Sequence, residues 1–154
     1  MVNRSAHALA GAAAWLALAP HVVDQPLRLT GAGCVLAVGL AAGQDFSPDL
    51  DQRWYAGQAT GGHRHLTHWP ETAAVLTWLL LTWMPPAFAW PMVVGWWSHL
   101  VGDFFFGGIP LLIAGGRRRL GFRFDTGGPV ERWVALPLLS IGVVAAVARL
   151  TLPR

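Results

Sequence analysis

The sequence contains no lysine, a single cysteine and few charged residues of any kind. Charged residues make up 12% of its 154 residues, whereas a soluble domain usually carries about 25%. Hydrophobic residues account for 54% of the chain, and the mean hydropathy is +0.44. This composition argues against an ordinary soluble domain and indicates a protein embedded in lipid.

The single cysteine, Cys34, excludes an intrachain disulfide, and the lack of a thiolate cluster excludes a finger-type zinc site. Because lysine is absent, the net charge of +3 comes from arginine alone. A basic protein can bind nucleic acid, but arginines at the ends of apolar segments more often report membrane orientation. Membrane lipid is therefore the expected partner, and no nucleic acid is expected.

Four stretches lack Asp, Glu, Lys and Arg altogether: 5–23, 29–44, 72–102 and 133–148. The third would be about 46 Å long as a helix, too long for one crossing of about 30 Å. Pro85 and Pro86 divide it into helices of roughly 70–84 and 87–106. The sequence thus predicts one all-α domain, 1–154, an integral membrane bundle of about five helices. Four helices are the alternative, because those beside Pro85 are short for a bilayer.

The N-terminal stretch has two interpretations. An apolar run after "MVNR" that ends in small residues also resembles a secretory signal. We favour a retained first helix, because the apolar part of a signal is usually about 7–15 residues long and rarely contains histidine.

If all five helices span the membrane, the arginines divide unequally between its two sides. Eight fall on the side of the N-terminus and three on the other side: Arg4, Arg53, Arg64, Arg117, Arg118, Arg119, Arg123 and Arg132, against Arg28, Arg149 and Arg154. The positive-inside rule makes the N-terminal side cytoplasmic. The predicted location is the inner (plasma) membrane, with several crossings.

Histidines and carboxylates from distant parts of the chain fall on this predicted cytoplasmic face. His7 begins helix one, and the loop between helices two and three carries Asp49, with Asp51 two positions on. His99 and Asp103 lie four apart near the end of helix four, so their side chains share one helical face. An imidazole and a carboxylate at this spacing can bind one divalent ion. For each pair alone, a simple His–Asp hydrogen bond or a solvated acidic loop is the better interpretation, and only the convergence of the pairs on one face favours a metal site.

The stretch "HRHLTHWPE" adds His63, His65 and His68 directly before Pro70, which suits the first turn of a helix. The histidines therefore lie in a turn that could aim His63 and His68 together, whereas His65 alternates with His63. Ionisable groups near lipid are costly and usually functional. Imidazole and carboxylate ligands suit zinc, with manganese as an alternative. More than four ligands would allow one or two ions.

Four segments resemble the YdjM-like family of inner-membrane, metal-dependent hydrolases: "PDLD" at 48–51, "HRHLTH" at 63–68, "SHLVGDFFFGGIPLL" at 98–112 and "GGPVERW" at 127–133. The resemblance covers essentially the whole chain in order. It implies seven metal-site residues: His7, Asp49, Asp51, His63, His68, His99 and Asp103. Arg64 and Glu131 match further motif positions. His65 and Trp69 depart from the glycine and serine of the family. The family's distant similarity to zinc-dependent phospholipase C implies a phosphoester substrate.

The expected function is a membrane-bound metal-dependent hydrolase that acts on a phosphoester or lipid-like substrate through metal-activated water. Asp49, Asp51 and Glu71 are candidate proton acceptors, with Asp45 less well placed. Arg64 or the cluster 117–119 could hold a phosphate, although that cluster is more simply a topology signal beside anionic lipid. The alternatives are a non-catalytic metal-binding protein with a structural, sensing or transport site, and a metal-free interfacial lipid-binding protein.

Overall fold

The computed structural model describes residues 4–24, 26–42, 48–50, 66–111 and 119–151. Five α-helices make up most of them: α1, Arg4–Val22; α2, Leu27–Ala42; α3, Pro70–Trp83; α4, Pro86–Phe105; and α5, Leu136–Thr151. Two single-turn 3-10 helices, Pro48–Leu50 and Leu66–His68, lie between α2 and α3. The predicted all-α class is therefore confirmed for this part of the chain. Of the predicted metal-site loop, only these two turns are described.

Prolines set the borders of the central helices. Pro70 occupies the first turn of α3, where its missing N–H leaves no hydrogen bond unmade. Met84 and Pro85 have extended backbones, and Pro86 then begins α4. The two predicted helices, 70–84 and 87–106, agree with the observed ones to within a residue at each end.

The centre of the bundle is formed by α1, α2 and α4, which pack against one another more extensively than any other elements. Trp15 of α1 is fully buried, and its indole N–H donates to Thr30 O of α2 at 2.8 Å. Close packing depends on Gly95 of α4, where a Cβ would lie 2.5 Å from Ala37 O. Small residues at helix contacts are typical of packing in lipid. In turn, α3 packs on α4, and α5 packs on α1.

A continuous helix of 21 residues, Glu131–Thr151, begins with a π-helical turn and continues as α5. It is long and apolar enough to cross a membrane, and its apolar window buries none of its residues inside the protein. Trp133, Ile141 and Val144 are each more than 60% exposed, as side chains that face lipid would be. Among the described helices, no other meets the same length and hydropathy test; Arg28–Ala42 is apolar but shorter. Multiple crossings stay a prediction.

A short β-hairpin, which the sequence did not predict, follows α4. Strand β1, Ile109–Pro110, pairs antiparallel with β2, Arg119–Leu120. Gly121 next to β2 has φ +136°, and a Cβ there would lie 2.1 Å from Phe104 O, so only glycine fits this contact. The hairpin thereby rests against the end of α4, with the ring of Phe122 stacked on Phe105.

Candidate metal centre

Five side chains from four segments meet at one end of the bundle. They are three histidines and two aspartates: His7 of α1, Asp49 and His68 of the two 3-10 turns, and His99 and Asp103 of α4. All five are buried, with exposed fractions between 0% and 8%. Buried ionisable groups need partners that compensate their charge. This cluster is therefore the strongest candidate for a functional site in the described part of the chain.

The two 3-10 turns are joined by Thr67. Its hydroxyl donates to Pro48 O at 2.6 Å, so the turn that carries His68 is held against the turn that carries Asp49. Helix α4 supplies the opposite wall, because His99 and Asp103 are one helical turn apart and share a face. Asp49 and His68 consequently lie beside a His–Asp pair that is more than 30 positions away in sequence.

Four of the side chains present ligand atoms at nearly equal separations. His68 Nε2 lies 3.3 Å from His99 Nε2, 3.6 Å from Asp49 Oδ1 and 3.4 Å from Asp103 Oδ2. His99 Nε2 lies 3.7 Å from each of the same two carboxylate oxygens. In a tetrahedral site with zinc–ligand distances of about 2.0–2.2 Å, neighbouring ligand atoms are about 3.3–3.6 Å apart. The separations of the two imidazoles from each other and from both carboxylates therefore match those around a tetrahedral divalent ion.

Hydrogen bonds on the far side of each ring fix which nitrogen faces the cluster. His99 Nδ1 lies 2.7 Å from Ala41 O, and since a carbonyl only accepts, Nδ1 carries the proton. Thr67 has already donated its hydroxyl proton to Pro48 O, so at 3.4 Å it can only accept from His68 Nδ1. Both Nε2 atoms then point lone pairs at each other. A cation between them removes this repulsion and also compensates the buried carboxylates.

His7 joins the cluster in a different orientation. Its ring stacks on that of His99 with centroids 4.0 Å apart and planes 7° from parallel. Its Nε2 faces the other oxygen of Asp103, Oδ1, at 3.8 Å. His7 thus contacts the cluster beside the four-ligand set rather than as part of it.

The structure brings together five of the seven predicted metal-site residues. The other two, Asp51 and His63, lie outside the described residues, as do Arg64, Asp45 and His65. Glu71 is partly buried in the first turn of α3 and is not one of the five clustered side chains. Arg119 is exposed on β2. The roles predicted for these residues stay predictions.

Glu131 has a structural setting that its motif did not suggest. Its side chain is 1% exposed, and its carboxylate accepts a short hydrogen bond from the backbone N–H of Gly127. Gly127 has φ +71°, a conformation that favours glycine. The "GGPVERW" motif therefore shapes the turn that leads into the last helix.

Sequence reasoning missed two groups that orient the cluster. Thr67 lies inside the "HRHLTH" motif, and its position next to a candidate ligand was the available signal. Ala41 acts through its backbone carbonyl, for which a side-chain pattern gives no signal. Outer-shell groups of this kind orient metal-binding histidines.

Comparison with known proteins identifies the family but no characterised relative. No curated protein and no solved structure matches the chain, so the similarity to zinc-dependent phospholipase C stays a prediction. The family model described as YdjM inner membrane protein matches residues 1–151, nearly the entire chain and all five cluster residues. The chain therefore belongs to the YdjM inner membrane protein family.

Proposed function

We propose that this protein is a membrane-embedded, metal-dependent hydrolase. The observation that carries the proposal is a buried pair of imidazoles, His68 and His99, whose Nε2 atoms lie 3.3 Å from each other and 3.4–3.7 Å from carboxylate oxygens of Asp49 and Asp103. Nitrogen and oxygen donors in this ratio suit zinc, and manganese is the second choice. A bound divalent ion would supply hydroxide at neutral pH by lowering the pKa of water to about 7.

The four side chains of this set differ in their exposure to solvent. His68, His99 and Asp103 are at most 1% exposed, whereas Asp49 is 8% exposed and sits on a single-turn helix. Asp49 is thus the member of the set best placed to exchange a proton with solvent. Asp51 and Glu71 are the other proposed proton acceptors, and Arg64 is the proposed phosphate contact.

We further propose that the centre lies at the cytoplasmic face of a multi-pass protein. The ligands occupy the start of α1, the segment after α2, the segment before α3 and the last turns of α4. If these helices cross the membrane alternately, all four positions fall on one side. The excess of arginines on that side supports a cytoplasmic orientation.

A lipid-like substrate is supported by an apolar cavity of about 970 Å³ between α1, α4 and α5. Ligand sites commonly fall in the range of about 300–1,000 Å³. Ser98 and Gly102 of α4 line the cavity, and each directly precedes a cluster residue, His99 and Asp103. The cavity could therefore take a hydrocarbon chain whose polar end lies near the metal centre.

The second candidate function is a non-catalytic metal site. Four protein ligands in a tetrahedral arrangement resemble a structural zinc site, whereas a catalytic site keeps one position open. If all four side chains bind one ion at once, the site is closed, and its role would be to join α4 to the two 3-10 turns.

The test combines metal content with activity. We expect detergent-purified protein to contain zinc by elemental analysis and to hydrolyse at least one of a phosphodiester, a phospholipid or a peptide. His99→Ala should remove both properties. The matched control is His21→Ala, because His21 is an exposed histidine at the opposite end of α1. Unchanged hydrolysis by His99→Ala would refute the hydrolase proposal, and metal binding without hydrolysis would favour the non-catalytic site.

A further inference from the structure

His7 and His99 cannot bind the same metal ion in the observed arrangement. Their rings are 7° from parallel with centroids 4.0 Å apart. A metal ion lies close to the plane of each imidazole that binds it, at about 2.0–2.1 Å from the nitrogen. An ion in the plane of His99 would therefore lie about one stacking distance out of the plane of His7.

The pair His68 and His99 has the opposite geometry. Their rings are inclined at 64°, and their Nε2 atoms are 3.3 Å apart. Two inclined rings can direct their lone pairs at one point. The orientation of its ring would thus let His99 share an ion with His68, whereas His7 would need a different one, although His7, His99 and Asp103 offer ligand atoms within 4.8 Å of one another.

Asp103 has the orientation of a bridging carboxylate between the two. Its Oδ2 lies 3.4 Å from His68 Nε2 and 3.7 Å from His99 Nε2. Its Oδ1 instead faces His7 Nε2 at 3.8 Å. Oδ2 is thus directed at His68 and His99, and Oδ1 is directed at His7.

We propose that the centre holds two divalent cations bridged by Asp103. The first position uses Asp49, His68, His99 and Asp103 Oδ2; the second uses His7 and Asp103 Oδ1. Because the centroids of the two stacked rings are 4.0 Å apart, one ion in the plane of each ring could lie at the spacing of about 3.5–4 Å that is found in two-metal sites. The inference rests on the metal centre proposed above and specifies its nuclearity and the two ligand sets.

The two positions should differ in affinity and in access. The first has four protein ligands, and the rings of His68 and His99 are each oriented by a hydrogen bond. For the second, the described residues supply two ligands, and His7 Nδ1 makes no hydrogen bond with them. Loss of such an outer-shell partner lowers metal affinity by about 10–100-fold. The second ion should therefore bind more weakly than the first.

The two proposed ion positions indicate the class of substrate. Two ions about 4 Å apart can stabilise both the attacking and the leaving oxygen of an in-line displacement at phosphorus. The first ion would hold the bridging carboxylate in place, and the more weakly bound second ion would contact a substrate oxygen. A phosphoester is therefore the substrate class that fits this centre.

The test measures metal stoichiometry and ion–ion coupling. Purified protein is stripped with chelator, titrated with Mn²⁺ and examined by elemental analysis and electron paramagnetic resonance. We expect two ions per chain with a spin-coupled spectrum, the second ion being released first by dilute chelator. His7→Ala should keep one ion and lose the coupling, and His21→Ala should behave as wild type.

Each other result contradicts the inference. One ion per wild-type chain would overturn the second position while leaving a metal-dependent hydrolase intact. Two coupled ions retained in His7→Ala would show that His7 is not a ligand. If His7→Ala does not fold, His7→Gln replaces it, and the wild-type spectrum by itself decides whether two ions are coupled. A protein that binds no metal would instead refute the proposed function.

Discussion

His68 Nε2 and His99 Nε2 face each other across 3.3 Å, although one belongs to a 3-10 turn and the other to α4. Each ring has its Nδ1 engaged outside the cluster, by Thr67 and by Ala41 O. The two lone pairs are therefore directed inward by groups that would not themselves touch a bound ion. Disturbing those outer groups should weaken metal binding without removing a ligand.

Thr67→Val should lower metal affinity by about 10–100-fold, because it removes an outer-shell partner and the hydrogen bond that joins the two turns. Competition with a fluorescent chelator measures the change. Thr82→Val is the matched control, since the Thr82 hydroxyl is exposed and donates to Trp78 O of its own helix. Equal affinities for the two variants would show that Thr67 does not orient the site.

Gly95→Ala should destabilise the bundle and weaken metal binding together. The added Cβ would meet Ala37 O at 2.5 Å, and overpacking of this kind costs about 1–3 kcal/mol. Ala41, whose carbonyl orients His99, is one turn further along the same helix α2. Thermal unfolding in detergent and metal titration measure the two effects.

The control for Gly95 is Gly39→Ala in α2, because a Cβ at Gly39 meets nothing within 4 Å. That variant should retain wild-type stability and metal content. An equal loss of stability in both variants would indicate that substitution of any helix glycine destabilises the protein, and that the α2–α4 contact has no special role.

Gly142→Leu should reduce turnover of a substrate with a long hydrocarbon chain and spare a short, water-soluble phosphoester. Gly142 lines the apolar cavity, and a Cβ there makes only an ordinary contact with Ala13 at 3.8 Å. The longer leucine side chain would therefore occupy the cavity without disturbing the helices. The KM and kcat of each substrate are compared with those of Gly39→Leu, which lies outside the cavity. Equal effects on both substrates would count against a chain-binding cavity.

Labelling of single cysteines should place the two ends of the bundle on opposite sides of the membrane. Replacing Cys34 with alanine removes the only native thiol. A cysteine at His21 should then react with a membrane-impermeant maleimide in spheroplasts. A cysteine at Arg123, near the metal centre's end, should react only after permeabilisation. Both positions are exposed. The reverse labelling pattern would place the centre on the outer side.

The helices could be predicted because their signals are local. Runs without charge and the Pro85–Pro86 pair define where helices can exist and where they must stop. The hairpin carries no such signal, since each strand has two residues and β1 contains a proline, which strands usually avoid. The π-helical turn at Glu131–Ala135 likewise follows from packing rather than from a sequence pattern.

The sequence predicted that the five clustered side chains would lie close together, but not how they are arranged. The spacing of His99 and Asp103 places both on one helical face, and counting helices brings His7 to the same end of the bundle. The parallel stacking of His7 on His99 depends on how α1 crosses α4, which is a tertiary property. The role of Ala41 could not be predicted either, because it acts through its backbone carbonyl, a group that every residue possesses.

The proposed ligands belong to four separate segments, so a cation could not be fully coordinated until α1, both short turns and α4 have met. Metal uptake would then mark the last stage of assembly in the bilayer, after the individual helices have inserted. A cell deprived of the ion would accumulate chains whose helices have inserted but whose α1 and α4 are incompletely packed against each other. Membrane proteases could recognise such chains. Abundance of the protein should in that case follow the supply of the metal.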